Sequence, residues 1–195
     1  AGNGGTARGL AADNAAVFRD ADVDWVVSNA GGCGAFLKEY DQVLHGTPAA
    51  DEGAWLASRV KDVSELLAEQ GRPLRLANSG PLVATCQDSC HLRNVMRVQR
   101  QPRELLKSVP GLTLREMREA DLCCGSAGIY NVLQPEMSTA LLDRKMENVK
   151  DADAEVVVTA NPGCLLQMRW GIHRAGLEGR VKAVHLVDLL AERLE

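Results

Sequence analysis

Lys150-Asp-Ala-Asp-Ala-Glu-Val-Val-Val-Thr-Ala-Asn-Pro-Gly-Cys164 lines up without gaps on Arg19-Asp-Ala-Asp-Val-Asp-Trp-Val-Val-Ser-Asn-Ala-Gly-Gly-Cys33. Each copy holds an Asp-Ala-Asp turn, a short β-branched run, a glycine-containing loop and a cysteine. A short apolar run bounded by turn residues predicts a buried strand. The residues after each cysteine, Gly34 to Leu44 and Leu165 to Arg174, have helical apolar spacing, so each copy is a strand–loop–helix unit. Val63-Ser-Glu-Leu-Leu67 echoes Leu186-Val-Asp-Leu-Leu190 further on. The chain thus carries two copies of one unit.

The remaining segments alternate in the same way. Helices are expected over Thr6 to Phe18, from Asp51 through Leu67 to Gln70, and over Pro102 to Ser108, Gly125 to Leu133, Pro135 to Val149 and Leu186 to Leu194. Strands are expected at Trp25–Ser28, Leu74–Leu76, Leu82–Cys86, Leu112–Met117, Glu155–Thr159 and Val181–Val184. Alternating strands and helices predict an α/β architecture with small, mostly parallel sheets flanked by helices. Asn78-Ser-Gly-Pro81 marks a boundary, so residues 1–79 form the first copy and 80–195 the second. The first copy is the shorter. With no initiator Met and a helix at the outset, the sequence reads as starting inside a domain that is truncated at its N-terminus.

Within the second copy lies Asp121-Leu-Cys-Cys-Gly-Ser-Ala-Gly128. Cys90 precedes Cys123 with 32 residues between them, and Cys164 follows Cys124 after 39. Cys33, Cys90 and Cys164 each fall just after an expected strand, where ligand loops of parallel sheets gather. Four thiols on three loops form a donor set for a soft metal, as an iron–sulfur cluster or as tetrahedral Zn2+. Adjacent cysteines point apart on an extended chain, so Cys123 and Cys124 both reach one centre only if Gly125 turns the loop tightly. Ligation by one of the pair, a vicinal disulfide and buried inert thiols stay open. Cys33 is a ligand of an incomplete first site or a packing thiol; Cys86, inside a strand, is a core residue. His91 is placed to donate to sulfur or to bond backbone, and Asp88 to cap the following helix. His45, His173 and His185 read as structural.

The 195-residue chain carries a net charge of −4, with 46% hydrophobic and 25% charged residues. These values fit a globular protein and argue against nucleic-acid binding, which favours a basic stripe. Arg93, Arg97, Arg100 and Arg103 form the one basic run, a solvated face or a dock for an acidic surface. No 18-residue apolar run or apolar leader is present, which points to a cytoplasmic setting. There, six cysteines favour metal or redox chemistry over a disulfide framework.

Cys90-His-Leu, Cys123-Cys-Gly125 and Asn161-Pro-Gly-Cys164 resemble the cysteine-rich CCG domain found in heterodisulfide reductases, lactate-utilisation iron–sulfur proteins and glycolate oxidase iron–sulfur subunits. Gln87-Asp-Ser-Cys-His-Leu92, Asp121–Gly128, Leu133-Gln-Pro-Glu-Met137 and Val158–Gln167 are most similar to the C-terminal part of the glycolate oxidase (glycolate dehydrogenase) iron–sulfur subunits. The resemblance implies a [4Fe–4S] cluster held by Cys90, Cys123, Cys124 and Cys164. It also implies an FAD-containing partner that oxidises glycolate, and onward electron transfer to a quinone at the membrane, with this chain peripheral through its complex. Catalytic acids and bases are expected on the partner. The family pattern ends in Cys-x-x-Cys; Asn161 stands at the first of those positions, which puts non-cubane clusters and disulfide reduction in doubt. A zinc-stabilised or metal-free scaffold and a thiol–disulfide reductase working through Cys123 and Cys124 are the alternatives. The particular 2-hydroxy acid stays undetermined.

Overall fold

A computed structural model describes residues 2–71 and 73–195; Arg72, within the expected Gly71–Pro73 helix stop, lies outside them. The elements run α1 (Gly4–Asp20), β1 (Val26–Ser28), α2 (Gly31–Lys38), α3 (Tyr40–Val43), α4 (Ala50–Arg59), β2 (Val60–Asp62) and α5 (Val63–Glu69). They continue with β3 (Leu82–Cys86), α6 (Cys90–Asn94), α7 (Arg100–Lys107), β4 (Leu112–Leu114), α8 (Tyr130–Leu133) and α9 (Pro135–Asp151). The chain closes with β5 (Val156–Thr159), α10 (Pro162–Arg174), β6 (Lys182–His185) and α11 (Leu186–Ala191).

The strands form two sheets, β1-β2 and β4-β3-β5-β6. Every pairing in them is parallel, with Val26 opposite Val60, Ala84 opposite Val156 and Val158 opposite Val184. Helices cover the larger sheet closely enough that all of β5 is buried, which is why its sequence is a continuous valine run rather than an alternating one.

The repeat is real in three dimensions. Helices α1 and α9 are both 17 residues long, with Ala21 and Ala152 as their C-caps. Each is followed by an aspartate in the left-handed region, Asp22 at φ 49° and Asp153 at φ 47°. Aspartate is among the few non-glycine residues that adopt this conformation readily. In both copies β-α-β then leads to a helix capped by the last residue of the strand. Asp62 Oδ1 accepts from the Ser64 N–H at 2.8 Å, and His185 Nδ1 accepts from the Val187 N–H at 3.2 Å.

Several sequence expectations fail locally. The stretch from Asp51 to Gln70 is not one helix: β2 interrupts it, because Val60 pairs with Val26 and Asp62 opens a new helix through a capping box with Glu65. Leu74–Leu76 contributes only a bridge from Leu76 to Leu194. Between Gly125 and Leu133 only Tyr130–Leu133 is helical, since Gly125, Ala127 and Gly128 all have positive φ. The helix expected over Gly34 to Leu44 breaks at Glu39 into α2 and α3.

The larger core joins both sheets, packing Val26, Leu56 and Val60 with Ala84, Val156 and Leu186. A second core lies between α9, α10 and the outer face of β5, and includes Cys124 and Cys164 beside Leu142, Met146 and Met168. Among the described residues, no helix is long and apolar enough to cross a membrane.

Candidate metal centre

Three adjacent strands deliver the cysteines. Cys90 begins α6 after β3, Cys123 and Cys124 lie in the long connection after β4, and Cys164 is in the first turn of α10 after β5. All four line one half-open cavity of about 200 Å³ at the C-terminal edge of the sheet, together with Gln87, His91, Ser126 and Asn161. Cys124 and Cys164 are buried, while Cys90 and Cys123 are partly exposed. The cavity therefore has an apolar floor and an open mouth. Cys86 is 4% exposed in the core, and burial pushes its thiol up to about 12. Cys33 is exposed on α2 and does not line the cavity, although its neighbour Gly32 does. All cysteines are free thiols, so no vicinal disulfide joins Cys123 to Cys124.

The Cys-Cys-Gly turn is held from below. Gly125 sits at φ 91°, and a β-carbon there would lie 2.4 Å from the Ser138 carbonyl oxygen. Only glycine satisfies both conditions. The Ser138 hydroxyl on α9 donates to the Gly125 carbonyl at 2.8 Å and accepts from Gln167 Nε2 on α10 at 3.1 Å. The Gly125 N–H in turn points at Cys123 Sγ, 3.4 Å away.

The four thiols act on one another. Hydrogen bonds from Cys124 and Cys90 hold Cys123 well below the ordinary thiol range. A hydrogen bond from Cys124 likewise lowers Cys164, with help from Asn161. The donors are raised in consequence: Cys90 by Cys123, and Cys124 by Cys123 and Cys164. Negative charge within the set is thus favoured at Cys123 and Cys164 and disfavoured at Cys90 and Cys124.

Asn161 stands three residues before Cys164. Its Nδ2 lies 3.5 Å from Cys164 Sγ, and its Oδ1 accepts from the Gly32 N–H at 3.0 Å. It is thus a donor to sulfur that also ties the two copies together. His91 Nδ1 lies 3.6 Å from Cys90 Sγ.

Charged groups brace the loops. Asp88 is not the helix cap that its position suggests; Ser89 occupies that place. Its carboxylate instead accepts from Arg103 at 2.8 Å and from Gln99 at 3.2 Å. Arg103 also forks onto Glu116 at 2.7 and 3.0 Å, and these bonds to Glu116 and Asp88 raise its pKa against the cost of burial. Arg93 pairs with Asp121 across the Cys90 and Cys123 loops at 2.6 Å. The basic run is therefore spent largely on internal pairs, with Arg100 on Glu104 as well. Lys145 on α9, fully buried, donates to the Glu119 and Ala120 carbonyl oxygens beneath the paired cysteines. Ser138, Lys145 and Gln167 are site residues that motif spacing does not reveal. The one signal for Lys145 is its place on the apolar side of α9, three residues after Leu142.

Soft thiolate donors around a roomy, partly apolar space suit an iron–sulfur cluster, and hard-cation sites need oxygen donors instead. Among the described residues, no group of three or more His, Cys, Asp or Glu side chains is placed to hold a metal ion.

The segment that carries this arrangement matches the model of the CCG family, described as the cysteine-rich domain, over residues 84–169. A Bacillus subtilis protein named a probable glycolate oxidase iron–sulfur subunit is 53% identical over 98% of this chain, which spans 44% of that relative. Lactate utilization protein A of Geobacillus thermodenitrificans is 33% identical over 89% of the chain, which covers 72% of it. The same protein of Bacillus cereus (strain B4264) is 29% identical over 88% of the chain, with the same 72% covered. The chain belongs to the family of lactate utilization protein A.

Proposed function

We propose that this chain is the electron-carrying, C-terminal part of an iron–sulfur subunit in a 2-hydroxy-acid oxidase, with glycolate as the favoured substrate of the complex. What supports it most is the single cavity lined by four cysteines from three neighbouring loops. Cys90, Cys123, Cys124 and Cys164 would hold a [4Fe–4S] cluster, which when bound accepts and releases single electrons. The chain's own residues prepare the place. The Gly125 backbone N–H and the Asn161 side-chain amide are aimed at sulfur, and hydrogen bonds to sulfur are among the levers that set potential. Arg93 and Arg103 fix the loops that carry Cys90 and the cysteine pair.

The open mouth beside Cys90 and Cys123 gives a short path to a docked donor. That donor would be an FAD-containing subunit that oxidises the hydroxy acid, and a membrane quinone would be the final acceptor. No general acid or base is needed on this chain. Residues 1–79 and 80–195 would be successive CCG copies, with Cys33 belonging to the first.

One observation favours a second reading. The lowered Cys123 thiol next to Cys124 is what a metal-free thiol–disulfide reductase requires. Anaerobic reconstitution with iron and sulfide, followed by elemental analysis, separates the two. Iron and acid-labile sulfide bound in equal amounts, and lost in Cys164→Ser, support the electron carrier. Disulfide reduction by metal-free protein, with no uptake of iron, overturns it.

A further inference from the structure

Lys145 is 0% exposed, and its charge has no evident partner in the braces around the site. A buried ammonium is costly unless something negative compensates it. Its hydrogen bonds go to two backbone carbonyls, those of Glu119 and Ala120. Every carboxylate whose charge it feels is committed elsewhere. Glu119 binds Arg144 and Asn148, Asp121 binds Arg93, and Asp88 binds Arg103. What remains is sulfur: the Ala120 carbonyl that Lys145 binds lies three residues before Cys123, the lowered thiol of the set, whose negative form the lysine charge favours. Burial lowers the lysine to about 8, so it is still mostly protonated at neutral pH.

The helix itself does not call for a cation here. By the register that pairs Cys33 with Cys164, the counterpart of Lys145 in the first copy is Asn14. That residue is neutral and donates to the Tyr40 hydroxyl at 3.1 Å. The charge is particular to the copy that carries the complete cysteine set.

We propose that Lys145 is the internal counter-cation of the cysteine site and raises the reduction potential of the group held there. This rests on the iron–sulfur reading above. A positive charge in a low-dielectric interior stabilises the more negative, reduced state. On reduction one electron is added from the flavin partner; Lys145 keeps its proton, and no bond is made or broken. Lys145 is a positioning residue: it touches the loop below Cys123 and Cys124 and acts through charge.

The test is a spectroelectrochemical titration of anaerobically reconstituted protein, comparing wild type with Lys145→Met, Lys145→Gln and Lys145→Arg. Met removes charge and donor, Gln removes charge but keeps a donor, and Arg keeps charge. A shift to more negative potential in Met and Gln, absent in Arg, supports the assignment. Folded Met or Gln variants that fail to load, where Arg loads, support it equally. Loaded Met or Gln variants with the wild-type potential overturn it, as does a Gln variant that restores the potential lost in Met. Wild-type protein that takes up no cluster would instead overturn the iron–sulfur reading itself.

Discussion

Replacing Gly125 by alanine puts the Cys-Cys-Gly turn to a quantitative test. The new β-carbon would face the Ser138 carbonyl oxygen at 2.4 Å, Ser138 Oγ at 3.0 Å and Gln167 Nε2 at 3.2 Å. The nearest atom is helix backbone, which cannot swing aside. A non-glycine residue at φ 91° costs about 1–3 kcal/mol. Displacing Ser138 also endangers its bonds to Gly125 and Gln167, each worth about 1 kcal/mol net. The expected loss is about 3 kcal/mol in urea unfolding of the metal-free protein. At about 2–4 °C per kcal/mol for a chain of this size, the midpoint falls by roughly 6–12 °C. Gly128→Ala is the control: φ is 65°, but nothing lies within 4 Å of the added carbon, so only the backbone cost of about 1 kcal/mol is expected. If Gly125→Ala is no more destabilising than Gly128→Ala, the close packing of this turn on α9 is refuted.

Other substitutions probe the braces around the cavity. Arg103→Ala strands the buried Asp88 carboxylate and should cost about 3–5 kcal/mol in chemical unfolding; Arg103→Lys, which loses the fork onto Glu116, should cost less than Ala but remain measurable. Asn161→Ala removes one bond to Cys164 and one to Gly32, and a loss of about 1–2 kcal/mol is expected, read in the same assay. Burial raises the Asp62 pKa above its ordinary 3.8, against the lowering effect of Ser64 and His185. A raised folded pKa means that the folded state holds this proton more tightly than the unfolded state. Its contribution is therefore present in full below pH 3.8 and is lost as pH rises through the folded value. The difference in stability between Asp62→Asn and wild type should accordingly move in favour of the variant across that window, and a pH-independent difference would contradict the assignment.

Much of the site is legible in the chain itself. The gapless match of residues 19–33 with 150–164 reports two copies of a strand–loop–helix unit, and nearly equal φ values at Asp22 and Asp153 show that the match extends to the backbone. Cysteine spacing locates the cavity because parallel strands present their following loops on one edge. Gly125 is readable for the same reason: adjacent side chains on an extended strand diverge, so something must turn. The illegible parts depend on contacts between distant segments. Val60-Lys-Asp62 has a period compatible with helix, and only pairing with Val26 makes it a strand. The Asp62-x-x-Glu65 capping box and the echo of Val63–Leu67 in Leu186–Leu190 were the available signals. Asp88 looks like a cap because sequence cannot show Arg103 arriving 15 residues later from another helix. Lys145 looks solvated by residue type, and its burial becomes visible only with α9 packed beneath the cysteine pair.

Electron paramagnetic resonance of the anaerobically reconstituted, dithionite-reduced protein at cryogenic temperature tests the four-cysteine centre most directly. The expected spectrum is that of a reduced iron–sulfur cluster, present in wild type and absent when Cys124 or Cys164 is replaced by serine. A folded wild-type protein that binds zinc alone, or gives no such signal after iron and sulfide are supplied, would contradict it.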